Sequence, residues 1–167
     1  MKKYFVIVPA YNEAKNIRRC LGSIRKYCKN IIVVDDGSND KTAEILDSIP
    51  HVQVIRLAQN VGKGRAMKIG AEVAWGMGAD GIIFMDGDNQ HNPKHISEFI
   101  ENLKSGENIV IGVRMLKTDI PLHRKIGNLI MVGVMKNLFS IQISDMMCGY
   151  RAFSKIGYKN IVWESSG

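Results

Sequence analysis

The chain has 167 residues, 46% apolar and 23% charged, with 23 Lys and Arg against 16 Asp and Glu for a formal charge of +7. That length and apolar fraction fit one domain with a sizeable core. Three cysteines, Cys20, Cys28 and Cys148, without a C-x-x-C pair argue against a disulfide framework or a zinc site and fit a reducing cytosol.

Residues 4–8 are an apolar run that ends at Pro9, too short for a signal peptide, and read as a first strand. Ile17, Leu21 and Ile24 then fall on one face of a first helix. Residues 31–34 form a second strand closed by Asp35-Asp36-Gly37-Ser38. Ser38, Asn39 and Asp40 are N-cap candidates for a helix with Thr42, Ile45, Leu46 and Ile49 on its face, stopped by Pro50. Residues 52–57 are a third strand, 59–64 a turn, and Ala66, Ile69, Gly70, Val73, Ala74 and Met77 the face of a third helix. Residues 81–85 are a fourth strand. Asn92 and Pro93 have the chemistry of an N-cap and first helical residue for a fourth helix with Ile96, Phe99, Ile100 and Leu103 inward. Residues 108–113 are a fifth strand.

Ile- and Val-rich strands without polar alternation, joined by helices, predict an α/β fold with a mostly parallel sheet covered on both faces. Ligands of such sheets bind beyond the carboxyl ends of the strands, where the polar clusters of this chain lie. Residues 122–139 read as helical, with 129–135 lacking any polar side chain. Two readings stand for that segment: a core helix, or a helix on a membrane surface aided by Lys117, Arg124, Lys125 and Lys136. No segment reaches the roughly 20 apolar residues of a membrane span.

Asp86-Gly87-Asp88 closes the fourth strand. A lone D-x-D often arises by chance; at a strand end it also suits magnesium, bound by one or two carboxylates, water and a substrate phosphate, to which Gln90 could add a neutral oxygen. His91 is expected to face solvent, since a hard cation prefers oxygen. In Asp35-Asp36-Gly37-Ser38 the glycine and serine suit a turn and a cap, while an acid there can also hold a ribose or base. Gly62-Lys63-Gly64-Arg65 is either a plain basic turn or a Lys aimed at a diphosphate; neither it nor Pro9-Ala10-Tyr11-Asn12-Glu13 satisfies a P-loop or dinucleotide fingerprint. Arg114, Arg124 and Arg151 are candidate anion clamps or surface residues.

Five segments occur in order: Val8-Pro9-Ala10-Tyr11-Asn12-Glu13, Val34-Asp35-Asp36-Gly37-Ser38, Asn60-Val61-Gly62-Lys63-Gly64, Met85-Asp86-Gly87-Asp88-Asn89-Gln90 and Cys148-Gly149-Tyr150-Arg151. Together they resemble family 2 glycosyltransferases of the GT-A fold, and among these the polyprenyl-phosphate sugar transferases related to dolichol-phosphate mannose synthase. The resemblance implies an inverting transferase that takes a UDP- or GDP-linked sugar, uses Mg2+ or Mn2+, and delivers to a polyprenyl (dolichyl) phosphate. By motif match it implies a nucleotide pocket at Pro9, Tyr11, Glu13 and Asp36, Lys63 in the basic turn after the third strand, and a metal-binding segment at Asp86, Asp88 and Gln90. Arg114 and Arg124 would meet the acceptor phosphate, with Arg151 a further candidate, and Asp145 would lie near the reacting centre, as general base if the acceptor were a saccharide hydroxyl. Asp88, Asp145, Arg114 and Arg124 form the expected catalytic set.

The resemblance further implies a cytoplasmic protein held peripherally at the membrane, with a membrane subunit as a possible partner. Relatives of this kind continue beyond residue 167, so the chain reads as one catalytic domain truncated at its C-terminus. Residues 1–115 would be the nucleotide-sugar half and 116–167 an incomplete acceptor-side segment. The rival reading from another class is a nucleotide-sugar-binding module that is inactive alone. Nucleic acid is not an expected partner, because aromatics are 7% and not interleaved with the basic residues.

Overall fold

The structure is a computed structural model and describes residues 2–112 and 149–160. The chain divides into a unit of Met1–Val110 with Tyr150–Gly167 and a second unit, Ile111–Gly149, which lies almost wholly outside the described residues. So do the expected helix 122–139, Cys148, Arg114, Arg124 and Asp145.

Strands β1 (Tyr4–Ala10), β2 (Ile31–Asp35), β3 (Gln53–Arg56), β4 (Gly81–Phe84), β5 (Ile109–Ile111) and β6 (Arg151–Ser154) form one sheet in the order β3-β2-β1-β4-β6-β5. β1 pairs in parallel with β2 and with β4, and β2 with β3. β6 runs antiparallel to β4, with Arg151 opposite Phe84 and Ser154 opposite Gly81. This strand was not foreseen, and it separates β4 from β5. The outer strand β3 is also shorter and more exposed than its apolar run suggests, since an edge strand has a neighbour on one side only.

Helices α1 (Ile17–Ile24), α2 (Thr42–Asp47), α3 (Lys63–Gly76), α4 (His95–Lys104) and α5 (Lys155–Lys159) complete the described fold. Phe5, Ile7, Ile32, Val34, Ile82 and Phe84 point to one side of the sheet and pack on Ala66, Met67, Ala71 and Ala74 of α3. Small residues let α3 approach closely: a Cβ on Gly70 would stand 2.5 Å from Ile7 Cγ2 and 3.0 Å from Val34 Cγ2. The inward face is therefore rotated from the expected one, and Met77 is 41% exposed. On the opposite side of the sheet, Val8 lies near Ile17 of α1, and Tyr4 near Leu103 of α4. Helices thus cover both faces, as the buried strands require.

Three helix starts differ in detail from the sequence pattern. Asp40 Oδ1 accepts the Thr42 N–H at 2.9 Å ahead of α2. Asn92 Oδ1 accepts the Lys94 N–H at 3.1 Å, so residues 92–94 form a turn and regular helix begins at His95. Lys63 and Gly64 belong to the first turn of α3 rather than to the preceding turn.

Candidate active site

The strand order reverses between β1 and β4, and there the two strands part. Val6 donates its N–H to Asn30 O beside β2, whereas Ile7 O accepts from Met85 N, so odd residues of β1 face β4. Pro9 is next in that alternation and has no N–H to offer. Pairing with β4 stops at Ile7, and a crevice opens beyond it.

Three loops wall this crevice, and side-chain hydrogen bonds tie them together. Asp36, buried at the end of β2, accepts the Val61 N–H at 2.8 Å on Oδ1 and the Gly62 N–H at 3.0 Å on Oδ2. Gly37, at φ +68°, touches the same loop: a Cβ there would lie 2.5 Å from Gln59 C and 2.7 Å from Asn60 N. Asn12, at φ +56°, donates its N–H to Ser38 Oγ at 2.9 Å and accepts the Asn39 N–H on Oδ1 at 2.8 Å. Asp40 Oδ2 accepts the Ala14 N–H at 3.2 Å.

The Asp36 clamp sets where α3 begins and places Lys63 over the end of β4. Its Nζ lies 2.5 Å from Asp86 Oδ1, while His91 Nε2 lies 3.3 Å from Asp86 Oδ2. Burial alone would push the Asp86 carboxyl up. Hydrogen bonds from His91 and Lys63, with the positive charge of Lys63, outweigh it and hold the group down at about 2. His91 corrects the sequence expectation: its side chain is 6% exposed, enclosed rather than solvent-facing. Its ring centroid is 5.1 Å from that of Tyr150, which in turn stands 4.5 Å from Phe99 and donates its hydroxyl to Asn92 O at 3.4 Å. Beneath the site Cys20 Sγ donates to Asp86 O at 3.6 Å. Burial first, then the charge of Asp88, pushes that thiol up to about 12.

The result is a cleft of about 260 Å³. Pro9, Ala10, Tyr11 and Glu13 line it from the end of β1 and the loop beyond, Asp36 from just past β2, Asn60 from the loop before α3, Lys63 from the first residue of α3, and Asp86, Gly87 and Asp88 from just past β4. Seven residues singled out in the sequence, Pro9, Tyr11, Glu13, Asp36, Lys63, Asp86 and Asp88, thus meet in one place. Gln90 does not join them: it is exposed, and its contribution is a backbone N–H donated to Asp88 Oδ1 at 2.9 Å. Arg151 is half-buried on β6, opposite Phe84 and so near the metal segment. Asn12, Asp40, Asn60 and His91 were missed as site-building residues. Asn12 and Asn60 lie inside the motif segments and Asp40 among the N-cap candidates, but nothing in the sequence singled out their side chains as ties between loops.

The donor chemistry fits a hard divalent cation. Asp86 and Asp88 present oxygen only, from a cleft open to water, and no cluster of three or more acidic, His or Cys residues closes a cage among the described residues. An ion held by two carboxylates keeps positions for water and for phosphate oxygens.

Comparison with known proteins agrees with this architecture. The profile of Glycosyl transferase family 2 matches residues 5–161. The chain belongs to glycosyltransferase family 2. It is 32% identical over 180 residues to the UDP-N-acetylglucosamine--dolichyl-phosphate N-acetylglucosaminyltransferase of Methanococcus voltae, covering 95% of this chain and 72% of that relative. It is 35% identical over 166 residues to the dolichol-phosphate mannosyltransferase of Pyrococcus furiosus, covering 92% of this chain and 46% of that one. Its fold matches glucosyl-3-phosphoglycerate synthase from Mycobacterium tuberculosis, solved with Mn2+, UDP-glucose and phosphoglyceric acid, at a TM-score of 0.70 and 22% identity, over 92% of this chain and 57% of that one. The family 2 chain described here therefore spans roughly half to three quarters of the length of these proteins. Among its described residues no helix is long and apolar enough to cross a membrane.

Proposed function

We propose that this chain transfers a sugar from a nucleotide-diphosphate sugar to a polyprenyl phosphate, with inversion at the anomeric carbon. The observation that carries this reading is the convergence of seven expected residues on one cleft at the β1–β4 switch point. The names of the two dolichyl-phosphate relatives support the acceptor class.

Pro9, Tyr11, Glu13, Asp36 and Asn60 form the nucleoside wall, and Lys63 serves the diphosphate. Asp86 and Asp88 hold Mg2+ or Mn2+, which when bound neutralises charge that develops on the leaving diphosphate. Asp36 acts by fixing the wall: both of its oxygens are engaged on the Val61 and Gly62 amides. Its role is to shape the pocket, and to position Lys63 through the start of α3.

In the transfer itself, an acceptor phosphate oxygen forms the new bond to the anomeric carbon. The bond from that carbon to the diphosphate breaks, and the electron pair leaves with the nucleoside diphosphate. The acceptor oxygen is already anionic at neutral pH, so no general base is needed. What is needed is positive charge to bring one phosphate group up to another, the task assigned to Arg114 and Arg124. Asp145 is the base in the variant of this reading in which the acceptor is a hydroxyl. Work on a lipid-linked acceptor places the protein at a membrane surface.

A thermal-shift panel of nucleoside diphosphates with and without Mn2+ tests the donor half. A ligand that binds only the folded chain raises its stability, by about 2.7 kcal/mol at a hundred times its Kd. The expected outcome is a rise with one nucleoside diphosphate that depends on Mn2+ in the wild type and is lost in Asp88→Asn. A flat panel overturns the reading.

A further inference from the structure

The positive charge of this chain is not spread evenly. Residues 15–29 contain Lys15, Arg18, Arg19, Arg25, Lys26 and Lys29 and no acid. Six of the seven net charges therefore sit in this stretch, leaving +1 for the other residues.

The structure arranges these six side chains on one surface. α1 buries Ile17, Cys20, Leu21 and Ile24, and helical winding continues past its last regular turn, since Cys28 N–H donates to Ile24 O at 3.0 Å and Cys28 is buried. The basic residues follow the opposite side at steps of three and four, with Gly22 between Arg18 or Arg19 and Arg25 or Lys26, and all six are exposed. Gly22 carries no side chain to stand out between them, and a Cβ there would meet nothing within 4 Å. No ion pair among the described residues involves any of the six. Arg18 donates to Ser48 Oγ at 2.6 Å and Arg25 to Pro50 O at 2.8 Å, both neutral partners, so their charge is uncompensated. The stripe begins two residues after Glu13, which lines the cleft.

We infer that the outer face of α1 is an electrostatic docking surface for an anionic lipid bilayer, starting beside the cleft at Lys15 and running to the far end of the sheet, where Cys28 and Asn30 bond Tyr4 O. The choice of bilayer over nucleic acid rests on the proposed lipid-linked acceptor. It also rests on the make-up of the stripe, which has basic residues and a glycine but no exposed aromatic ring on which a base could stack. Basic groups near an anionic leaflet each contribute about 1 kcal/mol, a factor of about five in binding, and the effect fades within a Debye length.

The test is sedimentation of the full chain with vesicles of phosphatidylcholine alone or with 30% phosphatidylglycerol, at about 0.1 M and 0.5 M salt. Arg19→Gln, Lys26→Gln and Lys29→Gln are combined in one variant, because none of these three has a hydrogen-bonded partner of the kind Arg18 and Arg25 have. A second variant combines Lys68→Gln, Lys155→Gln and Lys159→Gln and removes the same charge elsewhere. The wild type is expected to bind the anionic vesicles only, with loss at high salt. The α1 variant is expected to bind about 100-fold more weakly and the control variant within about threefold of wild type. Circular dichroism and the nucleoside-diphosphate thermal shift, unchanged in both variants, separate this outcome from a failure of the donor site. Absence of wild-type binding, equal loss in the two variants, or tighter binding to single-stranded RNA than to the vesicles overturns the inference.

Discussion

Replacing Lys63 with Met makes a prediction whose sign is opposite to that for loss of an ordinary binding residue. Lys63 Nζ lies 2.5 Å from Asp86 Oδ1, and His91 takes the other oxygen. Asp86 therefore has both oxygens engaged before any divalent ion arrives, and Lys63 competes for one of them. The carboxyl, held at about 2, prefers its ionised form by roughly 2 kcal/mol over an ordinary aspartate. Lys63 supplies only part of that. Its side chain is 53% exposed against 17% for Asp86, so solvent screening limits the pair to about 1 kcal/mol. In Lys63→Met, Mn2+ binding without nucleotide should then tighten about fivefold, read by electron paramagnetic resonance of the free ion. Binding of a nucleoside diphosphate in saturating Mn2+ should weaken by about tenfold, because the cation that serves the diphosphate is gone. Unchanged or weaker Mn2+ binding in the variant would refute the idea that Lys63 holds the place of the ion.

Further outcomes follow from other contacts of the fold. Asp36→Ala removes the acceptor of two backbone N–H groups and should cost about 3 kcal/mol in denaturant unfolding; Asp36→Asn, which keeps one carbonyl acceptor, should recover about half of it. Gly70→Ala puts a Cβ 2.5 Å from Ile7 Cγ2 and should lower stability by about 1–2 kcal/mol, since overpacking outweighs the better helix propensity; Gly22→Ala, with open space around it, should instead raise stability by about 0.5 kcal/mol. The Cys20 thiol, buried and pushed up to about 12, stays protonated at neutral pH, so iodoacetamide should label it only after unfolding, as peptide mass mapping would report.

Much of this arrangement was legible because it is local. Ile7, Ile32 and Ile82 lie in short apolar runs whose length and composition mark buried strands, and the helices between them make those strands parallel. The acids and the lysine of the cleft could be found because sheets of this class bind ligands at strand ends. What stayed hidden depends on partners far along the chain. β6 is four residues long, and its place beside β4 is fixed by pairing between Ala152 and Ile83, across about 70 residues of sequence. His91 reads as a polar loop residue until Tyr150 covers it. The Asp36 clamp joins residues 25 and 26 positions apart, and a turn-and-cap motif does not announce it. Gln90 shows the converse. Its spacing from Asp88 suits a ligand, yet it is exposed and outside the cleft.

The most direct measurement is sugar transfer itself. The full chain is incubated with Mn2+, a panel of UDP- and GDP-linked sugars and a polyprenyl phosphate, and the lipid product is resolved by chromatography. The account predicts formation of a glycosyl phospholipid from one donor, reduced at least 100-fold by Asp88→Asn in a variant with a wild-type circular dichroism spectrum. Donor binding without any lipid product, or full activity in Asp88→Asn, would contradict it.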